Sequence, residues 1–190
     1  TSKMNIDKLD IVSPFTFEVD ATGAFKDKGK MDQDAFAALI KIAKAKGKKV
    51  YPTVLWTNAD EMASVLKDKD LQNAILADIQ YYIKKYNLDG IDIDFEGKKA
   101  ESKNDFSSLL KLLSTSLHKN NKGLICTIEV RTPLADKYSK LTAKTKSSID
   151  YSNDYAVIGK YCDNVRLMTY DQMGDDMVLK KKKKNILYRP

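Results

Sequence analysis

The residues with the most chemistry in them lie in one short run, Leu88-Asp89-Gly90-Ile91-Asp92-Ile93-Asp94-Phe95-Glu96-Gly97. Apolar and acidic residues alternate from Ile91 to Glu96, the period of a β-strand. Asp92, Asp94 and Glu96 therefore share one face, and Ile91, Ile93 and Phe95 the other. Burying an ionised carboxylate is costly unless it is paired or protonated. Three of them at ~6.5–7 Å spacing repel one another, which pushes at least one pKa upward. A carboxylic acid still protonated near neutrality is what a general acid requires. An acid-lined barrel interior accommodates the arrangement, with Glu96 at the C-terminal mouth, where barrel active sites form.

Three plainer readings compete. A solvated edge strand would tolerate the acids, but the run lies between buried segments. Asp92-x-Asp94-x-Glu96-Gly97 also matches the first half of a calcium-binding loop. The bidentate acid due at its twelfth position is Lys103, however, and Ile93 and Phe95 favour strand over loop. A structural ion-pair network is the third.

The elements that must position this run alternate in type. Leu9–Phe17 reads as a strand, followed by a turn around Gly23. Met31–Lys46 reads as a helix ended by Gly47. Lys49–Trp56 is the next strand, with Pro52 marking a bulge or irregular edge. Asn58–Lys69 and Leu71–Asn87 are helical, the second with an apolar stripe of Leu71, Ile75, Ile79, Tyr82, Ile83 and Tyr86. After the acidic strand come a helix over Asp105–His118, a strand over Gly123–Arg131, a helix over Asp154–Tyr161 and a strand over Asn164–Tyr170. Strands alternating with helices predict an α/β fold with a parallel sheet, doubly wound or part of a (β/α)8 barrel. No glycine-rich phosphate loop follows the first strand, which removes the main support for nucleotide binding.

With 190 residues, the chain has the length of one domain with a sizeable core. No apolar run approaches the ~18 residues that span a bilayer, and the N-terminal residues do not read as a signal peptide. The net charge of +7 comes mostly from Lys180–Lys184 and Arg189, which leave +1 on residues 1–179. No aromatic residues interleave with those lysines, so a nucleic-acid-binding reading rests on the basic tail alone. Cys126 and Cys162 fit no metal spacing, and His118 is the only histidine. The cysteines read as core thiols, with a disulfide between them open if the protein is exported.

The run Asp89–Glu96 resembles the D-G-x-D-x-D-x-E signature of glycoside hydrolase family 18, the chitinases and related endo-N-acetylglucosaminidases. Met168-Thr169-Tyr170-Asp171 is similar to the family's M-x-Y-D at the end of barrel strand six. Leu9–Phe25 looks like the second barrel strand of the spore-germination, cell-wall-lytic branch. The resemblance covers about residues 8–176. It implies a (β/α)8 TIM-barrel type of fold, here partial: the first strand and the last two, with their subsite tryptophan, are not apparent. Residues 1–178 form the expected catalytic domain and residues 179–190 a Lys-rich tail. A complete barrel takes ~250 residues.

The resemblance also implies roles. Glu96 would protonate the glycosidic oxygen, Asp94 would orient the substrate's 2-acetamido group, and Asp92 would share charge or a proton with Asp94. Tyr170 would hydrogen-bond the acetamido oxygen, and Met168 and Asp171 would line the same sugar site. Asp89 would be structural. The family is a substrate-assisted exception to the two-carboxylate scheme, and no cofactor or metal is implied. The implied partner is an N-acetylglucosamine-containing polysaccharide, chitin or peptidoglycan, met outside the cell or in its envelope. A non-catalytic, lectin-like binder on the same fold, or an inactive barrel fragment, is the alternative; retention of Glu96 favours the enzyme. The usual S-x-G-G of strand three is replaced here by "VYPTVLWTN". Trp56 at its end is a candidate for stacking on a sugar, and also for the core. Arg131 is a further substrate-binding candidate, and Arg131 or Arg166 a candidate partner for Glu129.

Overall fold

The structure, a computed structural model, describes residues 5–129 and 151–169. The chain divides into two units, Thr1–Ile128 with Tyr151–Arg166, and Glu129–Asp150 with Leu167–Pro190. In the second unit the described residues are Glu129 and residues 167–169, where the Thr169 amide donates to the Leu167 carbonyl at 3.0 Å.

Elements alternate as the pattern of the sequence predicts. In order they are β1 (Ile11–Val12), β2 (Phe15–Val19), β3 (Phe25–Asp27), α1 (Asp34–Ala45), β4 (Lys49–Val50), β5 (Thr53–Trp56), α2 (Ala59–Lys67), α3 (Lys69–Lys85), β6 (Gly90–Phe95), α4 (Lys103–His118), β7 (Gly123–Glu129), α5 (Tyr155–Tyr161) and β8 (Asn164–Met168). The main sheet runs β3-β2-β5-β6-β7-β8, and β1 pairs with β4 in a ladder of its own. The β2–β5, β5–β6 and β6–β7 pairs are parallel. Parallel neighbours require crossovers, and the helices provide them.

Two expected strands are each split in two. Leu9–Phe17 becomes β1 and β2, and Lys49–Trp56 becomes β4 and β5. The breaks lie side by side, between the Val12↔Val50 and Phe15↔Thr53 pairs. Pro14 and Pro52 occupy them, and neither has an N–H for the ladder. Their carbonyls are still used, accepting from the Thr53 amide at 2.9 Å and the Asp92 amide at 3.0 Å. The antiparallel strand β3 was not expected. The Asp20 side chain builds its turn, accepting from the Thr22 amide at 2.9 Å and the Thr22 hydroxyl at 2.6 Å.

Helix starts follow their capping residues. Asn58 accepts from the amides of Asp60 and Glu61, Asp68 from Asp70 and Leu71, and Asp154 from Ala156 and Val157. Each helix then buries one stripe: Met62, Val65 and Leu66 of α2; Ile75, Ile79 and Ile83 of α3; Phe106, Leu109, Leu110, Leu113 and Leu117 of α4. These join one core with Val54 and Trp56 of β5, Ile91, Ile93 and Phe95 of β6, and Leu124, Cys126 and Ile128 of β7. The apolar face of the acidic strand is therefore its helix-covered face, as the alternation predicts.

The two cysteines are bonded to each other. Cys126 of β7 is joined to Cys162, the residue that ends α5, with 5.9 Å between their Cα atoms. The reading as separate core thiols is thus corrected. Spacing in the sequence does not reveal that α5 returns its last turn to the back of β7.

Candidate active site

The start of β6 is fixed by the Asp-Gly pair. The Asp89 carboxylate accepts from the Val50 amide at 2.8 Å and from the Lys44 ammonium at 3.5 Å. Gly90 is required by close packing: a Cβ there would lie 2.0 Å from the Gly123 carbonyl oxygen and 2.3 Å from the Tyr51 ring. Asp89 therefore holds the strand's entry point, the structural part expected of it.

Register then sets which side chains meet. Thr53 pairs with Asp92 and Leu55 with Asp94, while Val54 pairs with Ile93 and Trp56 with Phe95. On the other side, Asp94 pairs with Thr127. Neighbours in register point the same way from a sheet. One face thus carries Thr53, Leu55, Asp92, Asp94 and Thr127, and the opposite face carries Val54, Trp56, Ile93 and Phe95.

The carboxylates differ in burial. Asp92 is 1% exposed, whereas Asp94 and Glu96 are half-buried. Three donors from three strands meet the Asp92 carboxylate. The Thr127 hydroxyl donates to Oδ1 at 2.9 Å; the Thr53 hydroxyl and Arg166 Nη1 donate to Oδ2 at 3.1 Å and 2.7 Å. Burial pushes the Asp92 carboxyl above the ordinary carboxylate range, and Thr127, Arg166 and Thr53 pull it back. The sequence leads one to expect a shift from repulsion among the acids; at Asp92 the upward shift comes from burial.

Beyond Phe95 the chain turns sharply. The Glu96 amide still donates to the Trp56 carbonyl at 2.8 Å, extending the ladder past the strand's end. Gly97 follows with φ +69°, in the left-handed region. Lys98 is 7% exposed; its ammonium donates to the Phe95 carbonyl and lies 4.8 Å from the Phe106 ring centroid. Glu96 therefore sits between a ladder bond and a turn anchored by a buried lysine.

Trp56 departs from the reading as a stacking platform. It is 3% exposed, lies on the helix-covered face, and meets the Phe95 ring edge-on at 5.4 Å. It shares the parity of Val50 and Val54, both in the core, and that parity assigns it there. Met168 is half-buried and belongs to the second unit. Tyr170, Asp171 and Arg131 lie outside the described residues. Sequence reasoning missed Thr53, Thr127 and Lys98. It noted Arg166 only as a candidate partner of Glu129, and in the structure Arg166 reaches Asp92.

Fold and site together are an α/β sheet whose central parallel strand carries its acids on the face away from the covering helices. The chain belongs to Glycosyl hydrolases family 18, whose sequence model matches residues 6–185. It is 28% identical over 160 residues to "Uncharacterized glycosylase YvbX" of Bacillus subtilis (strain 168), a match covering 80% of this chain and 44% of that protein. Among solved structures it resembles a class V chitinase from Pseudomonas fluorescens Pf-5, with TM-score 0.75, 24% identity, and 90% of this chain and 50% of that one covered. It also resembles the Bacillus cereus spore cortex-lytic enzyme SleL, with TM-score 0.70, 22% identity, and coverage of 90% and 36%. The chain thus spans half or less of the length of these relatives. The structural likenesses establish the TIM-barrel type of fold.

Proposed function

We propose that the chain carries the acid-bearing part of a retaining glycosidase that cleaves β-1,4 linkages at N-acetylglucosamine in chitin or peptidoglycan. The observation that carries this reading is the gradient along β6: Asp92 buried among three donors, Asp94 half-buried, and Glu96 half-buried at the strand's C-terminal end. A general acid and base must be reached by substrate, and its supporting charges need not be.

Glu96 donates a proton to the glycosidic oxygen as the bond to the anomeric carbon breaks. The substrate's own acetamido oxygen attacks that carbon, giving an oxazolinium ion and retaining a nucleophile within the sugar. Asp94 orients the acetamido group and balances the charge of the ion. Glu96, now ionised, takes a proton from water, which opens the ring with net retention. The motif assigns Tyr170 to the acetamido oxygen, and Met168 and Asp171 to the same sugar. Residues 1–178 supply this machinery, with the lysines of residues 179–190 outside it. Such a substrate lies outside the cell or in its wall, and the Cys126–Cys162 bond favours an oxidising compartment.

The test is hydrolysis of chitin oligomers and of peptidoglycan by wild type and Glu96→Gln. Loss of roughly 10²–10⁴-fold with binding retained supports the role of Glu96. Which polymer is turned over assigns the substrate.

A further inference from the structure

The C-terminal turns of α3 and α4 leave a cavity of about 560 Å³ between them, within the size range of small-ligand sites. Its buried lining is apolar, from Ile83 and Leu117. Its more open lining carries two ammonium groups, Lys84 and Lys122, and among the described residues no carboxylate lines it. Lysines in a last helical turn answer the helix dipole, and Lys84 holds such a position. Lys122 lies beyond α4 and is fixed differently, by donating to the Leu88 carbonyl at 2.7 Å. An ammonium has three protons to donate, so two remain. Gln80 and Asn120 each donate a carboxamide N–H to Ser116, on its Oγ at 2.8 Å and its carbonyl at 3.2 Å. Their oxygens are left as acceptors. Asn87 adds a third carboxamide.

We propose that this cavity binds a carboxylate-bearing ligand: the two ammonium groups take the carboxylate, the carboxamides take neighbouring N–H or O–H groups, and Ile83 and Leu117 meet its apolar part. Hydrogen bonds from an ammonium to a carboxylate are stronger than those to a neutral oxygen, so the cavity favours an acid over a neutral sugar. This rests on the glycosidase reading above and sharpens it. Chitin is an uncharged polymer, whereas peptidoglycan carries peptides with free carboxylates. Of the two, peptidoglycan is therefore the polymer this cavity takes. The position separates holding from cutting. Lys122 binds the carbonyl of Leu88, shortly before β6 begins, and Glu96 follows where β6 ends. The six residues of β6 put about 20 Å between them. The cavity grips a peptide at one end of the sheet while the acid-bearing end works on glycan.

The probes are N-acetylmuramyl dipeptide with its carboxyl free, the same compound with that carboxyl amidated, inorganic phosphate, and a neutral chitin oligomer. Binding to the full chain is followed by NMR through the side-chain amides of Gln80, Asn87 and Asn120, in wild type and Lys84→Met. The free acid should shift these amides, and the chitin oligomer should not. Affinity should fall about tenfold on amidation and about tenfold in Lys84→Met, and it should weaken as salt is raised. Lys84 is exposed, so the variant should unfold near the wild-type temperature and turn over chitin oligomers as wild type does. Should it not fold, Lys84→Gln carries the same expectation. Equal affinity for the acid and its amide overturns the proposal, as does unchanged affinity in folded Lys84→Met. Amides that respond to phosphate and not to the muramyl peptide overturn it in favour of a phosphate site. The titrations need no turnover, so the two failures are told apart. A wild type that cuts neither polymer removes the glycosidase reading while the cavity's ligand is still read. Cleavage of peptidoglycan with silent amides removes the cavity's role alone.

Discussion

Cys126 and Cys162 tie the middle of β7 to the end of α5, closing a loop with a sequence separation of 36. Restricting the unfolded chain over a loop of that length is worth about 4 kcal/mol in the chain-entropy description. The double variant Cys126→Ala/Cys162→Ala should lose stability on that scale in urea unfolding. A reductant should destabilise wild type and leave the double variant unaffected.

Gly90 and Gly159 make opposite predictions for the same substitution. A Cβ at Gly90 would meet the Gly123 carbonyl oxygen at 2.0 Å, a backbone atom that cannot swing aside, whereas one at Gly159 meets nothing within 4 Å. Gly90→Ala should cost about 3 kcal/mol or more. Gly159→Ala, within α5, should gain about 0.5–1 kcal/mol. Thermal unfolding of the pair tests the close approach that the Asp-Gly of the motif serves.

Trp56 should behave as core. Trp56→Ala removes a buried indole from the Phe95 contact and should cost about 3–5 kcal/mol. Affinity for chitin oligomers in the folded fraction should stay near wild type. A stable Trp56→Ala protein with lost sugar affinity would return the residue to the substrate site.

Asp92 gives a pH dependence of definite sign. Its native carboxyl is held above the ordinary value of 3.8, chiefly by burial. The native state then binds the proton more tightly than the unfolded chain. Stability from this group is greatest at low pH and falls as the pH rises through the interval between the ordinary and the raised value. The unfolding free energy of wild type minus that of Asp92→Asn should therefore decline from acid pH toward neutrality. A rise would mean that Thr127, Thr53 and Arg166 outweigh burial.

What the sequence disclosed divides by range. The period-2 alternation of β6 and the stripe on α3 are local, and both faces of the acidic strand were assigned correctly from them. The partners of Asp92 are not local: Thr53, Thr127 and Arg166 lie 39, 35 and 74 residues away, joined only by sheet register. Trp56 stayed open between stacking and core for a related reason, since alternation alone does not say which face of β5 the helices cover. Strand β3 was missed because Lys26 and Asp27 give it no apolar period, and its turn is built by one aspartate side chain.

Glu96 bears the central claim, and turnover by its amide variant tests it most directly. Wild type and Glu96→Gln should be compared on chitin oligomers and on peptidoglycan, with binding measured in parallel. The account predicts turnover by wild type on at least one polymer, and a loss of roughly 10²-fold or more in Glu96→Gln with binding retained. Equal turnover by the two proteins, or none by wild type on either polymer, would contradict it.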